Sequence, residues 1–440
     1  MKERRVYIET YGCQMNEYDS GIVKSILGEN GFSPVAEPEN ADLILLNTCA
    51  VREKAHERVY GRLENLQHLR KKTPGLRFGI LGCMAQNLKD KLSELPVDII
   101  LGPDNYRDLP DLLNELDGLE EHHPLSHTIL SQDETYEEYG PGVIKGCLAI
   151  VTIMRGCNNF CSFCVVPYTR GRERSRNPEG IVFEIQNLVK EGIKEVTLLG
   201  QNVNSYNQDG TDFTELVRKI LNQTEIERIR FSSPHPMDFP EKLLELMAME
   251  ERFCSQIHLP LQSGSTEVLK NMKRGYSRED YINLVNKIRS IVPNAGLTTD
   301  IIVGFSGETD KQYNETLDMV GQVGYDMAYM FKYSERENTV ASRSYPDDVP
   351  EEIKKERLSR LIDLQNATAR KMNEGKKGEI HQVLVEGSSR RSEDRAVGRT
   401  HSGKVVIFPG QFPRGTTVRV RIESSTSATL FGSALIENQI

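Results

Sequence analysis

Residues 155–164 read Arg155-Gly156-Cys157-Asn158-Asn159-Phe160-Cys161-Ser162-Phe163-Cys164, and this stretch is the most informative feature of the chain. It places three cysteines in the spacing C-x3-C-x2-C. Three thiolates this close together can hold three irons of a 4Fe–4S cluster, which leaves the fourth iron open to a small molecule. The alternative is a zinc knuckle. It is disfavoured because structural zinc sites pair two such ligand groups, and no second pair follows in the sequence.

The spacing resembles that of the radical S-adenosylmethionine (SAM) enzymes, whose open iron binds SAM. The resemblance implies that Cys157, Cys161 and Cys164 ligate a SAM-binding 4Fe–4S cluster. It also implies that Phe163, between two of these cysteines, packs near the adenine of SAM. The alternative for Phe163 is that it caps the core of a barrel.

Composition indicates an ordinary globular protein of more than one domain. A chain of 440 residues is long for a single domain and suggests two or three. No apolar run approaches the roughly 18 residues that a membrane span needs, and the N-terminus has no apolar signal region. We therefore expect a cytoplasmic protein with no membrane association. Eight cysteines are too few for a disulfide scaffold, which favours metal-binding or catalytic roles.

Three further cysteines each follow a strand-like pattern: Cys13, Cys49 and Cys83. Helix-like stretches separate these patterns, and strands that alternate with helices indicate a parallel sheet. Ligands gather beyond the carboxyl ends of such strands, so we expect the three thiols to converge on one point. The sequence thus predicts a second cluster with an open iron. Taken singly, each cysteine is more often a small buried hydrophobe.

Four motifs together resemble the radical SAM methylthiotransferases, and the resemblance covers essentially the whole chain. They are Tyr11–Asn16, Asn47–Arg52, Gly82–Gln86 and Arg155–Arg174. The resemblance implies two 4Fe–4S clusters, with Cys13, Cys49 and Cys83 holding the auxiliary one, and SAM as cofactor. It further implies tRNA as the partner, an electron donor of the flavodoxin or ferredoxin type, and a sulfur donor. We expect a monomer.

The residues after the first cysteine, Gln14 and Met15, are most similar to the family members that modify isopentenyl-adenosine beside the anticodon. The resemblance implies addition of a methylthio group to C2 of that base. One alternative is the relative that acts on threonylcarbamoyl-adenosine, and a third relative modifies an aspartate of a ribosomal protein. A further alternative is a non-catalytic iron–sulfur protein that binds RNA or senses redox state.

The chain divides into three predicted domains, at residues 1–120, 143–372 and 375–440. Residues 115–140 carry eight acids and no Lys or Arg, which is typical of a solvated connection. The central region alternates strand and helix patterns and fits a partial α/β barrel. Active-site groups of such barrels follow the strands, and the family resemblance places a SAM-region set there. The set is Gln201, Asn202, Ser233 and Gln262. The alternative is that these residues form turns and helix caps.

Two groups of arginines are candidates for RNA contact, because the arginine fork suits phosphate oxygens. The first group follows the second triad: Arg170, Arg172, Arg174 and Arg176. The second group is Arg419 and Arg421, on one face of a predicted strand. This last region has ten Lys/Arg against six Asp/Glu over residues 375–440, and its short strands resemble the TRAM domain, a small oligonucleotide-binding-like β-barrel. The alternative for this barrel is a lid or dimerisation module.

Overall fold

The computed structural model describes residues 4–50, 53–118, 123–140, 143–390 and 392–435, which form two compact units. The first unit comprises Met1–Val143, Ile150–Gly180 and Arg336–Arg343. The second comprises Ile144–Ala149, Ile181–Glu335 and Ser344–Ile440. The segment that carries the second cysteine triad therefore packs with the N-terminal residues, so both triads lie in one unit.

A six-stranded parallel sheet forms the centre of the first unit. Its strands run in the order β2-β1-β3-β4-β5-β6. All six residues of the third strand are buried, as expected of a parallel strand that helices cover on both faces. The strands are β1 (Arg4–Tyr11), β2 (Phe32–Pro34), β3 (Leu43–Thr48), β4 (Arg77–Leu81), β5 (Ile99–Leu101) and β6 (Leu125–His127). The helices are α1 (Gln14–Glu29), α2 (Glu53–Leu66), α3 (His68–Lys72), α4 (Cys83–Leu92) and α5 (Leu109–Leu116).

The predicted solvated connection at 115–140 contains structure instead. Strand β6 pairs in parallel with β5 and extends the sheet. Tyr136 is fully buried, and its hydroxyl donates to the carbonyl oxygen of Pro103 at 3.1 Å. The acidic residues Glu134 and Glu138 both pair with Arg107. These two acids are therefore bound to the first unit.

The central region alternates strands with helices, so the predicted α/β class is confirmed. Its strands are β7 (Val143–Lys145), β8 (Leu148–Thr152), β9 (Met154–Arg155), β10 (Arg174–Ser175), β11 (Glu195–Leu199), β12 (Asn207–Gln208), β13 (Thr211–Asp212), β14 (Arg228–Phe231), β15 (Gln256–His258), β16 (Gly296–Val303) and β17 (Met327–Lys332). Its helices are α6 (Val166–Thr169), α7 (Pro178–Lys190), α8 (Phe213–Gln223), α9 (Glu241–Met249), α10 (Thr266–Asn271), α11 (Arg278–Ile291), α12 (Asp310–Val323), α13 (Val340–Ser344) and α14 (Glu351–Glu374).

Two sheets of three or more strands belong to this region, besides the two-stranded pairs β9–β10 and β12–β13. One has the order β14-β11-β8-β7, and the other is β15-β16-β17 with parallel pairing. Helices follow the strands in sequence, which is the arrangement of a partial α/β barrel. No helix among the described residues is long and apolar enough to cross a membrane.

A closed five-stranded barrel ends the chain, in the order β18-β19-β20-β22-β21. Val418, Val420 and Ile422 point into its core, and Arg419 and Arg421 between them are exposed. The alternation predicted from the sequence is therefore present. The strands are β18 (Ile380–Ser389), β19 (Ser392–Arg399), β20 (Val405–Pro409), β21 (Thr417–Ser425) and β22 (Thr429–Ala434).

Candidate functional site

The first cysteine triad lies at the carboxyl edge of the N-terminal sheet. Strands β1, β3 and β4 are neighbours, and Cys13, Cys49 and Cys83 follow them within two residues. Cys49 and Cys83 are buried, whereas Cys13 is exposed. Each thiol stands where a strand gives way to a helix: Cys13 is the N-cap of α1, and Cys83 is the first residue of α4. Helix N-termini favour thiolates, the form of cysteine that binds metals.

The thiols of this triad interact electrostatically. A hydrogen bond with Cys49 is the main cause that lowers the pKa of Cys13 to about 6, and the charge of Arg170 acts in the same direction. Burial raises the pKa of Cys83, and Arg170 opposes that rise. Among the described residues, no group of three or more His, Cys, Asp or Glu side chains has the arrangement of a preformed metal site. The thiols are gathered at one edge of the sheet.

The side-chain amides of Asn16 and Asn47 form a buried hydrogen-bond network beside the first triad. The Cys13 thiol donates to Oδ1 of Asn16 at 3.2 Å, and Nδ2 of Asn16 donates to Oδ1 of Asn47 at 3.2 Å. Asn47 Nδ2 returns a bond to the carbonyl oxygen of Asn16 at 2.9 Å. Gly82 adopts φ +89°, and a Cβ there would lie 2.4 Å from Oδ1 of Asn47. Only glycine fits between this network and the turn that presents Cys83.

The second cysteine triad occupies a single loop. The short antiparallel pair β9–β10 closes this loop, and the Cys157 N–H donates to the Gly171 carbonyl oxygen at 3.2 Å. Cys157 and Cys161 are buried, and Cys164 is partly exposed. Phe160 adopts φ +48°, a left-handed conformation that is rare for an aromatic residue and typical of functional loops. The neighbouring Phe163 is half-buried.

The segment after the second triad packs against the first triad. Val165, directly after Cys164, forms an apolar cluster with Ala50 and Cys83. Thr169, at the end of α6, acts to lower the pKa of the Cys83 thiol, against the larger effect of burial. The two triads are therefore neighbours within the first unit.

The predicted SAM-region residues of the second unit follow β11, β14 and β15, at the strand ends where barrels carry active sites. Asn202 and Gln262 are buried, and Gln201 and Ser233 are half-buried. Ser233 and Gln262 adopt φ of +63° and +67°, which costs free energy for residues other than glycine. The Gln262 N–H donates to the carbonyl oxygen of Asp300 at 2.8 Å, which fixes this turn against β16.

Family models match three parts of the chain. Residues 5–102 match "Uncharacterized protein family UPF0004", residues 151–320 match the radical SAM superfamily, and residues 375–435 match the TRAM domain. The tRNA-2-methylthio-N(6)-dimethylallyladenosine synthase of Chloroherpeton thalassium is 46% identical over 99% of this chain and 97% of its own length. The chain belongs to this synthase family. The synthase of Parabacteroides distasonis is 45% identical over 99% of this chain and 96% of its own.

Solved structures support the fold. The radical SAM methyltransferase TsrM from Kitasatospora setae, with tryptophan and a SAM analogue bound, aligns with a TM-score of 0.54 at 15% identity. The alignment covers 74% of this chain and 72% of that one. The predicted radical SAM methylthiotransferase family is confirmed by the relatives, and the predicted fold class by the structure.

The structure corrects the prediction of RNA contact for three of the four loop arginines. Arg170, Arg174 and Arg176 are buried, at 2%, 6% and 1% exposure. The Arg174 guanidinium binds both carboxylate oxygens of Asp104, at 2.8 and 3.0 Å. Arg170 donates to Asp19 at 2.7 Å, and Arg176 donates to the carbonyl oxygen of Thr152 at 2.6 Å. These guanidinium groups bind the protein interior and do not reach RNA phosphates.

Arg172 differs from the other loop arginines because it is exposed. Its guanidinium lies 4.3 Å from the centre of the Phe160 ring, beside the second triad. RNA contact therefore stays a prediction for Arg172, Arg419 and Arg421.

Sequence reasoning missed an apolar face on β17. Met327, Tyr329 and Phe331 are 43%, 48% and 44% exposed. By register they share a face with His258, Asp300 and Ile302, because directly paired residues of adjacent strands point the same way. His258 Nδ1 lies 2.9 Å from the Thr298 hydroxyl, and its Nε2 lies 3.3 Å from Oδ2 of Asp300. The alternation of large apolar residues at 327, 329 and 331 was the available signal.

Proposed function

We propose that this chain adds a methylthio group to C2 of isopentenyl-adenosine, next to the anticodon of tRNA, by radical SAM chemistry. The observation that carries the proposal is the placement of two cysteine triads side by side in a chain that belongs to the synthase family. A protein that only senses redox state has no need of a second triad beside a SAM-type loop.

The donor sets fit two iron–sulfur clusters. Cys13, Cys49 and Cys83 would hold one, and Cys157, Cys161 and Cys164 the other. Three thiolate donors per site match a 4Fe–4S cluster with an open iron. When bound, these clusters and SAM supply sulfur, a methyl group and a carbon radical able to attack an unreactive C2–H. The chain's own part is to keep the two triads adjacent, which Val165 does by packing against Ala50 and Cys83.

The second unit offers groups for SAM and for the base. Gln201, Asn202, Ser233 and Gln262 stand at the carboxyl ends of its strands, where we place the SAM region. Phe163 of the cysteine loop, in the first unit, is a further candidate for contact with SAM. The apolar face of Met327, Tyr329 and Phe331 suits the isopentenyl-adenine, since RNA-binding proteins stack unpaired bases on aromatic side chains. His258 and Asp300, on the same face, offer hydrogen-bonding groups for the edge of the base.

The barrel supplies the tRNA-binding charge in this proposal. Arg419 and Arg421 are exposed on one strand, and a positive face on a small barrel is an electrostatic footprint for RNA. An electron donor of the flavodoxin or ferredoxin type and a sulfur donor complete the set of partners. We propose that the enzyme acts in the cytoplasm as a monomer.

The test is an anaerobic assay of reconstituted protein with SAM, a reductant and tRNA. We expect release of 5′-deoxyadenosine and methylthiolation of isopentenyl-modified tRNA. Threonylcarbamoyl-modified tRNA serves as the competing substrate. Cys157→Ala should abolish SAM cleavage, whereas Cys49→Ala should stop methylthiolation and leave SAM cleavage largely intact. Wild-type protein that releases no 5′-deoxyadenosine would refute the enzyme, and modification of the competing tRNA alone would refute the substrate.

A separate assay tests the β17 face. Tyr329→Ala should raise KM for isopentenyl-modified tRNA about tenfold, in line with about 1 to 3 kcal/mol per stacked base. Tyr329→Phe, which keeps the ring, should stay near wild type. Equal KM values for the two variants would argue against stacking on this residue.

A further inference from the structure

A buried cluster of charges lies beside the first cysteine triad, and its charges do not balance. Among the described residues it contains the guanidinium groups of Arg155, Arg170 and Arg174 and two carboxylates, Asp19 and Asp104, and all five residues are buried. Asp19 pairs with Arg155 at 2.9 Å and with Arg170 at 2.7 Å. Asp104 pairs with Arg174 at 2.8 Å. One positive charge of the cluster is therefore left over.

Each of the three guanidinium groups has one buried nitrogen without a hydrogen-bond partner among the described residues, Nε in Arg155 and Arg174 and Nη1 in Arg170. Arg170 Nη2 donates to Asp19, whereas Nη1 is buried and has no hydrogen-bond partner within the described part of the chain. The charge of Arg170 acts on the thiols of both Cys83 and Cys13. Val165 and Arg170 flank the two ends of helix α6, and Val165 packs with Ala50 and Cys83, so the chain at this point lies against the triad.

A buried guanidinium with an unused N–H is unfavourable unless an anion compensates it. The chemistry of the neighbourhood points to one anion. A 4Fe–4S cluster on three thiolates carries negative charge on its sulfurs, and hydrogen bonds to these sulfurs and nearby charge tune its reduction potential. Arg170 supplies both a donor and a charge at this place.

We propose that Arg170 is a positioning residue for the cluster on Cys13, Cys49 and Cys83, with its Nη1–H donating to a sulfur atom of that cluster. The inference rests on the proposed function, because it requires that this triad holds a cluster. Its positive charge stabilises the reduced, more negative state and so raises the reduction potential. Asp19 opposes this effect, because its carboxylate pairs with the same guanidinium.

The experiment uses the full chain with Cys157, Cys161 and Cys164 all replaced by Ala, so that one cluster remains. After anaerobic reconstitution, iron and sulfide are counted and the reduction potential is measured by electron paramagnetic resonance titration. Arg170→Gln should shift the potential to lower values and speed the loss of iron to a chelator. Arg170→Lys, which keeps the charge, should stay close to the parent. Arg172→Gln is the matched control, since it removes an exposed arginine two residues away.

Asp19→Asn gives a second test of opposite sign, which is independent of whether Arg170→Gln folds. Removal of the carboxylate leaves the Arg170 charge less compensated and should shift the potential to higher values. A merely structural ion pair would change stability in these variants without shifting the potential in opposite directions. A parent that binds iron and shows the same potential in all variants overturns the inference alone. A parent that binds no iron overturns the inference together with the proposed cluster.

Discussion

The arginines of the cysteine loop and those of the C-terminal barrel look alike in sequence but have opposite surroundings. Arg170, Arg174 and Arg176 are buried and bonded to carboxylates or backbone carbonyls. Arg419 and Arg421 alternate with core residues on a strand and face solvent. Closely spaced arginines thus form buried ion pairs and hydrogen bonds in the cysteine loop, and they present positive charge to solvent on the barrel. Arg170 and Arg174 are buried with a carboxylate partner, and these partners, Asp19 and Asp104, lie far away in the sequence.

The largest expected effect comes from a buried arginine. Arg174→Gln leaves the Asp104 carboxylate, which accepts two bonds from Arg174, without its main partner. Loss of one member of a buried pair costs about 3 to 5 kcal/mol. Urea unfolding followed by circular dichroism measures the loss. The exposed Arg172→Gln variant should remain within about 0.5 kcal/mol of wild type. Equal stability of the two variants would erase the distinction between buried and exposed loop arginines.

The buried His235 of the second unit, like the buried loop arginines, should affect stability, in this case its dependence on pH. Burial, with a contribution from the Arg274 charge, lowers the pKa of His235 from 6.5 to about 3. Between these values the unfolded state binds a proton that the folded state does not, so stability falls as the pH drops below about 6.5. The slope reaches about 1.4 kcal/mol per pH unit.

His235→Asn tests this acid sensitivity. Asparagine can still accept the bond that the Met237 N–H donates to His235 Nδ1 at 3.3 Å, so the helix cap is kept. The variant's stability between pH 7 and 5 should depend less steeply on pH. Parallel curves for wild type and variant would assign the acid sensitivity to other groups.

The exposed barrel arginines should affect tRNA binding and leave stability unchanged. If each contacts one phosphate, the Arg419→Ala/Arg421→Ala variant should lower the salt slope of log K by about 0.7 to 0.9 per arginine. Filter binding at several salt concentrations measures it. Arg395→Ala is a comparison on another strand of the same barrel. An unchanged slope in the double variant would leave the barrel as a lid or packing module.

The smallest expected effect belongs to Arg172. As a single exposed arginine it should contribute at most one phosphate contact, a slope change of about 0.7 to 0.9. Because it lies beside the second triad, its loss should also lower methylthiolation while SAM cleavage without tRNA continues. Wild-type binding and methylthiolation by Arg172→Gln would remove the loop from the tRNA interface entirely.

The sequence predicted the features that local patterns encode. The predicted strands before Cys13, Cys49 and Cys83 are present as β1, β3 and β4. Each was predicted from a short strand-like pattern that ends just before the cysteine. The alternation at 418–422 likewise predicted which residues of the barrel strand face out. Family motifs were sufficient for the radical SAM class.

The ion pairs between residues far apart in the sequence could not be predicted from the sequence. Nothing near Arg170 or Arg174 indicates that Asp19 and Asp104 will neutralise them, because these partners are 151 and 70 residues away. The pairing of Glu134 and Glu138 with Arg107 was not predicted for the same reason. The grouping of the second triad with the N-terminal sheet follows from these contacts and from no local signal.

The pairing of Asp19 with Arg155 and Arg170 has a consequence for synthesis on the ribosome. Asp19 is fully buried in the finished unit, and an unpaired buried carboxylate is strongly unfavourable. Its partners are translated more than 130 residues later. At 5–20 residues per second, the nascent N-terminal sheet waits roughly 7 to 30 seconds for them. Co-translational folding of this unit therefore finishes only when the cysteine loop has left the exit tunnel, so the two triads become ready for cluster delivery together.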